Sequence, residues 1–169
     1  MWKHTGQKRP GFAIEPGPGQ ESVWDYPRPP AQVQSDDVVE IRNDDTLIAR
    51  SERAIRVLET ASPPTVYIPP DDVNQDHLVS MKQATFCEWK GTASYWALAA
   101  DPDTAVGWSY PDPKPAFEAI RGWFCFYPGR VRCFLGDEEV RPQSGPFYGG
   151  WVTYAIVGPY KGEPGSGGW

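Results

Sequence analysis

A mainly β domain with few helices is the fold class this sequence predicts, on three observations. The 169 residues include 17 glycines and 19 prolines. Proline terminates helices and sits awkwardly in central strands, so long helical bundles are excluded. Between these breakers run short stretches of β-branched and aromatic residues, the pattern of strands bounded by turns. Eight Trp, eight Tyr and seven Phe must carry much of the packing, since apolar residues make up 40% of the chain when glycine is left out of the count. The length suits one domain with an adequate core.

Residues 1–34 show no sustained period and read as an irregular arm, with Trp2, Phe12, Trp24 and Tyr26 as anchors that would strap it to the domain. Val38–Arg42 and Thr46–Arg50 read as strands joined by a turn at Asn43-Asp44-Asp45, a β-hairpin. Arg53–Leu58 is open between a helical turn and a strand. Thr65–Ile68 is a strand closed by Pro63-Pro64 and Pro69-Pro70. Asp71-Asp72 is expected to cap a short helix through His77-Leu78-Val79. Further strands are expected at Thr85–Cys87, Ser94–Ala99, Ala105–Ser109, Trp123–Tyr127, Val131–Leu135 and Glu138–Val140, the last two joined by a turn at Gly136-Asp137. Proline at 115 and glycine at 122 bracket a second short helix. The domain proper thus spans 35–142, and residues 143–169 form an aromatic tail rich in glycine and proline that docks on it.

The densest chemistry lies in Thr85-Phe86-Cys87-Glu88-Trp89-Lys90-Gly91-Thr92-Ala93-Ser94-Tyr95, where a thiol, an ammonium, a hydroxyl and a phenol follow one another at strand-like spacings. Thr85, Cys87 and Trp89 would share one strand face. Taken with Glu59-Thr60, Val66–Pro69, Asp71-Asp72-Val73, Trp108-Ser109-Tyr110 and Ile120–Tyr127, this order of motifs resembles the family catalogued as domain of unknown function 427. The resemblance covers about residues 45–140, and the closing Tyr148-Gly149-Gly150-Trp151 to Gly162 stretch looks like the longer bacterial members. It departs from the family at Glu88, where proline is common; the added negative charge works against a thiolate role for Cys87.

The resemblance implies a β-tent, two small antiparallel sheets meeting at a steep angle, with one or two short helices. Many tents are pinned by zinc. This chain has three cysteines, Cys87, Cys125 and Cys133, and no paired Cys-x-x-Cys knuckles. Aromatic packing in place of a metal, reduced thiols and no cofactor are therefore expected. The family carries no established activity, although a nucleotidyltransferase label is sometimes attached to it.

Cys87 and Lys90 are the sharpest catalytic candidates, with Glu59, because a neighbouring ammonium favours the nucleophilic thiolate. The simpler reading of Cys87 is a packed thiol, and Cys125 reads plainly as core. Lys90 is expensive to bury and must reach solvent or meet an anion, with an ion pair to Glu59 as the simpler arrangement. Tyr67, Trp89, Tyr95, Trp108 and Tyr110 can wall a ligand pocket around it, with Arg50 and Glu59 completing a polar floor. His77 is the default partner for any triad and reads more simply as an exposed histidine.

The leading expectation is therefore a module that binds a small polar metabolite through Arg50, Glu59, Tyr67, Cys87, Trp89, Lys90, Tyr95, Trp108 and Tyr110. The alternative is an enzyme acting on a nucleotide or phosphorylated metabolite, with Lys90 on phosphate and Glu59 or Asp72 as base or metal ligand. The acidic pairs Asp36-Asp37, Asp44-Asp45, Asp71-Asp72 and Asp101-Pro102-Asp103 read as turns or caps, and no GxxxxGK[ST] or GxGxxG sequence is present. A third reading is a partner-binding role in which the aromatic tail docks on a second copy in a homodimer. A net charge of −6 disfavours nucleic acid. No membrane span or secretory apolar segment is expected, which makes the cytoplasm the default address.

Overall fold

The structure is a computed structural model that describes residues 2–169, and its strands are short because proline and glycine interrupt them. The arm contributes β1 (Glu21–Ser22), a 3-10 turn at Val23–Asp25 and β2 (Ala31–Gln34). There follow β3 (Val39–Asn43), β4 (Thr46–Ser51), β5 (Ile55–Leu58), β6 (Thr65–Tyr67), β7 (Leu78–Cys87), β8 (Gly91–Leu98), β9 (Asp101–Ser109), β10 (Phe124–Phe126), β11 (Arg132–Leu135) and β12 (Glu138–Glu139). Two two-residue pairings close the chain: β13 (Arg141–Pro142) with β14 (Trp151–Val152), and β15 (Ile156–Val157) with β1.

Two four-stranded antiparallel sheets, in the orders β10-β9-β8-β7 and β12-β11-β3-β4, flank a three-stranded sheet β2-β5-β6. An isolated bridge from Ile68 to Phe124 joins the three-stranded sheet to β10. The architecture is mainly β, built of several small antiparallel sheets. Arg53–Leu58, open in the sequence, resolves as a strand because β5 is paired on both sides, Val57 facing Gln32 and Thr65. The β3–β4 hairpin turns at Asp44, whose φ of 50° is a left-handed conformation that aspartate tolerates.

Three expectations are corrected. The helix through His77–Val79 is replaced by two 3-10 turns, Pro70–Asp72 and Gln75–His77, after which Leu78 opens β7. Asn74, not the Asp71-Asp72 pair, caps the second turn by accepting from Asp76 N. Asp72 is drawn away by Ser51 Oγ at 2.7 Å and by the Arg53 guanidinium. Second, Asp101-Pro102-Asp103 lies in β9, where a register irregularity between Ala97 and Leu98 accommodates it. Third, the helix at Pro115 is a kinked pair of 3-10 turns, Pro115–Ile120, in which non-helical Phe117 turns its ring into the core.

Three packed groups hold these layers. Val39, Ile41, Ile48, Val66, Phe124, Phe126 and Trp151 form one. Val57, Tyr67, Trp108, Tyr110, Phe117, Ile120 and Cys125 form the second. The third ties arm to tail: Val23, Trp24 and Tyr26 meet Leu58, Ala61 and Ile156. Trp24 and Trp151 are almost fully enclosed, at 0% and 1% exposure, and each contributes about 4–6 kcal/mol of transfer free energy at most. Their indole N–H groups are satisfied by Pro159 O at 3.0 Å and Phe126 O at 2.9 Å. Residues 2–34 are thus held at named points, by the parallel β1–β15 pair and by Trp169, which stacks on Phe12 at 5.0 Å. No helix among the described residues is long and apolar enough to cross a membrane.

Candidate functional site

The site begins with a tight turn. β7 and β8 pair with Cys87 opposite Gly91, so Glu88, Trp89 and Lys90 must reverse the chain between them. Gly91 makes this feasible: its φ of +109° is strained for any residue with a Cβ. The turn is pinned from outside by Lys114, whose N–H donates to Lys90 O at 2.8 Å and whose ammonium donates to Glu88 O at 2.6 Å. Cys87 and Lys90, three apart across the turn, come out on one side. The Lys90 ammonium donates toward Cys87 Sγ at 3.7 Å.

Lys90 is only 9% exposed, and none of the ion pairs among the described residues includes it. The rings of Tyr110 and Phe117 stand 5.7 and 5.8 Å from its Nζ. Each such contact offsets about 0.5–2 kcal/mol, whereas enclosing an ammonium costs several kcal/mol. The rings and a thiol leave the charge under-compensated.

Beside Lys90 opens a cavity of about 140 Å³, walled by Val57, Glu59, Thr65, Gln143, Tyr148 and Gly150 among others. Glu59 does not pair with Lys90. It faces Arg28 instead, at 3.4 Å, with side chains 22% and 1% exposed. Arg28 also donates to His4 O, Thr60 O and Trp169 O, so one guanidinium ties arm, tail and cavity wall together. Burial, and then the charge of Arg28, push the Lys161 ammonium down from its ordinary value. Arg28, Lys90 and Lys161 thus lie near Glu59 and Glu88, three cations against two carboxylates, a local excess of positive charge in a chain of net charge −6.

The far wall is the loop after β13. Gln143 is buried at 6%; its side-chain amide donates to Lys161 O at 2.6 Å and its oxygen accepts from Gly150 N at 3.1 Å. Gly149 and Gly150 press against the domain so closely that a Cβ at the first would overlap the Trp108 ring and one at the second the Gln143 side chain. Phe147, 89% exposed, rides on this loop at the cavity mouth.

Of the residues singled out in the sequence, Lys90 and Glu59 line the cavity. Tyr67, Trp108 and Tyr110 lie beneath it in the packed second group, with Cys87, Trp89 and Tyr95 half-buried at its margin. Burial pushes the Tyr67 and Tyr110 hydroxyls and the Cys125 thiol well above their ordinary values, so these groups stay protonated at neutral pH. Tyr95 shares a 2.7 Å hydrogen bond with Thr85. Arg50 is elsewhere: it pairs with Glu52 at 3.6 Å and lines a shallow depression with Asp71 and Asp72. Asp72 is consequently not brought to Lys90. Sequence reading missed Phe117, Gln143, Tyr148 and the two glycines; the Gly149-Gly150 pair was the available signal, since paired glycines mark close backbone approach.

Three wider clefts exist, of about 400, 260 and 410 Å³. Arg56 pairs with Glu21 in the first and Asp72 with Arg53 at the third, and the remaining carboxylates on their walls, Asp36, Asp37, Asp71 and Asp76, are exposed to solvent, so none of the three encloses an unpaired charge as the Lys90 site does. No group of three or more His, Cys, Asp or Glu that could hold a metal is assembled among the described residues.

Fold and site together define a small mainly β protein with an enclosed lysine at the edge of an aromatic core. The chain belongs to the family described as Domain of unknown function (DUF427), whose match spans residues 31–137. The match therefore includes Glu59, Cys87 and Lys90 and stops short of Gln143 and the loop that closes the cavity. No curated protein matches the chain.

Proposed function

We propose that the protein binds a small anionic metabolite, with Lys90 as the charge partner of a carboxylate or phosphate group. The observation that carries this reading is the enclosed Lys90 ammonium without a carboxylate partner beside a cavity. A buried charge needs a partner, and a ligand anion supplies one. Arg28 and Lys161 offset Glu59, so an approaching anion meets net attraction. Ser62, Thr65 and Gln143 offer neutral polar groups that orient the rest of the molecule.

Size narrows the class. A water occupies about 30 Å³, so the cavity holds the equivalent of roughly four or five waters, against about 300–1,000 Å³ for sites that enclose drug-sized ligands. This favours a small organic acid, or the anionic head of a larger molecule whose remainder lies under Phe147 and Tyr148. An entire nucleotide exceeds it.

Thermal unfolding of the wild type and of Lys90→Met against a panel of organic acids and phosphorylated metabolites tests the reading, with nucleoside triphosphates included with and without magnesium. A ligand at about one hundred times its Kd stabilises by roughly 2.7 kcal/mol, a shift of several degrees at this size. An anion that shifts the wild type alone supports the proposal. A magnesium-dependent shift by a nucleotide would put the nucleotide-enzyme alternative in its place, and equal shifts of both proteins would remove Lys90 from any site.

A further inference from the structure

We propose that Cys87 and Lys90 are also a redox pair, whose side chains join through a sulfur–nitrogen bond when the protein meets a peroxide. Three observations converge on it. The tight turn holds Sγ and Nζ 3.7 Å apart, in contact before any reaction. Cys87 is the half-exposed thiol, whereas Cys125 and Cys133 are fully buried at 0%. And the Lys90 side chain, nine-tenths enclosed, has Cys87 Sγ as its one side-chain hydrogen-bond partner among the described residues, so the amine is aimed at the sulfur and away from competing carboxylates.

The chemistry balances in two steps. A peroxide oxidises the thiol: Cys–SH and HOOH give Cys–SOH and water, with sulfur losing two electrons to the O–O bond. The Lys90 amine, having released one proton to solvent, then attacks the sulfenic sulfur with its lone pair. The S–N bond forms, the S–O bond breaks, and the departing hydroxide takes the second amine proton and leaves as water. The product is Cys–S–NH–Lys. Two equivalents of an external thiol reverse it, yielding the free thiol, the amine and one disulfide.

Enclosure favours this outcome over further oxidation. The neighbouring amine is tethered by the turn and acts at a high effective concentration, whereas a second peroxide must diffuse in. Joining the pair would also remove the ammonium charge from the cavity wall. The redox proposal does not depend on any ligand, and its readout needs none.

The experiment treats the full chain with one equivalent of hydrogen peroxide and digests it with trypsin under non-reducing conditions. In the untreated protein trypsin cleaves after Lys90. After treatment we expect that cleavage to be lost, the peptide 83–121 to appear about 2 Da lighter than its unmodified sequence, and a thiol reductant to restore both. Lys90→Met should stop at a sulfenic acid, about 16 Da heavier and trapped by a 1,3-dione. Wild-type protein that gains about 16, 32 or 48 Da at Cys87 while Lys90 is still cleaved overturns the proposal. The wild-type digest decides the matter even if the variant does not fold.

Discussion

The indole N–H of Trp108 donates to the Tyr67 hydroxyl at 3.1 Å, with both rings buried, at 7% and 1% exposure, and crossing edge to face at 85°. This bond links β9 to β6 under the cavity and gives a buried donor its partner. Tyr67→Phe should therefore leave the indole unsatisfied and cost about 1–3 kcal/mol in urea unfolding. Because Tyr67 lies beneath the wall, any ligand-induced shift should survive. A loss of binding with unchanged stability would place the hydroxyl in the site itself.

Lys90→Met tests whether the lysine is kept for function at the expense of stability. Removing an under-compensated charge from a site lined by Tyr110 and Phe117 should leave the ligand-free protein equally stable, or more stable by about 1–2 kcal/mol. Chemical denaturation measures this directly. Destabilisation by more than about 2 kcal/mol would mean that Lys90 holds the fold together, as a broken buried pair does.

Gly149→Ala should drive a methyl group into the Trp108 ring and force the cavity loop outward. We expect destabilisation of about 1–3 kcal/mol, the usual cost of overpacking, together with loss of ligand-induced stabilisation. Gly167→Ala is the control: nothing lies within 4 Å of a Cβ there, so its midpoint should stay with the wild type.

Stability should fall on the alkaline side. The Tyr67 and Tyr110 hydroxyls and the Cys125 thiol are raised by burial, so the folded state keeps protons that the unfolded chain gives up at about pH 8.5–10. Their contribution is complete below that range and declines steadily as pH rises from it toward the raised folded-state values, because the unfolded state then binds fewer protons. On the acid side Asp72, held down by Arg53 and Ser51, reverses the sign: its contribution is present above about pH 4 and lost below. It is the smaller effect, since solvent screens a pair so near the surface. Urea midpoints from pH 3 to 11 trace both limbs. A flat profile between about pH 8 and 11 would contradict the burial of these hydroxyls.

What the sequence determined by itself is what neighbouring residues decide. The β3–β4 hairpin around Asp44 and the proline-bracketed strand β6 were legible, because each rests on turn chemistry and alternation within about ten residues. The reversal at Glu88–Lys90 was not, since alternation placed Trp89 on a strand face with Thr85 and Cys87, whereas β7 ends at Cys87 and Trp89 lies in the turn. The family resemblance followed from the same local motifs. Local patterns were also overruled by competition: Asp71-Asp72 looks like a helix cap, but Ser51 at the end of β4 and Arg53 just beyond it take the Asp72 carboxylate. The tertiary structure alone decided the cavity. Its walls at Val57–Thr65 and Gln143–Gly150 meet only when sheets far apart in the chain pack, and no local period announces such a meeting. It also moved Arg50 to a different face, turned Phe117 toward Lys90, and paired Glu59 with Arg28. A lysine in a hairpin turn is ordinarily solvated; packing from Pro113 to Phe117 and from the 143–150 loop is what enclosed this one, and enclosure, not residue type, is what makes its charge consequential.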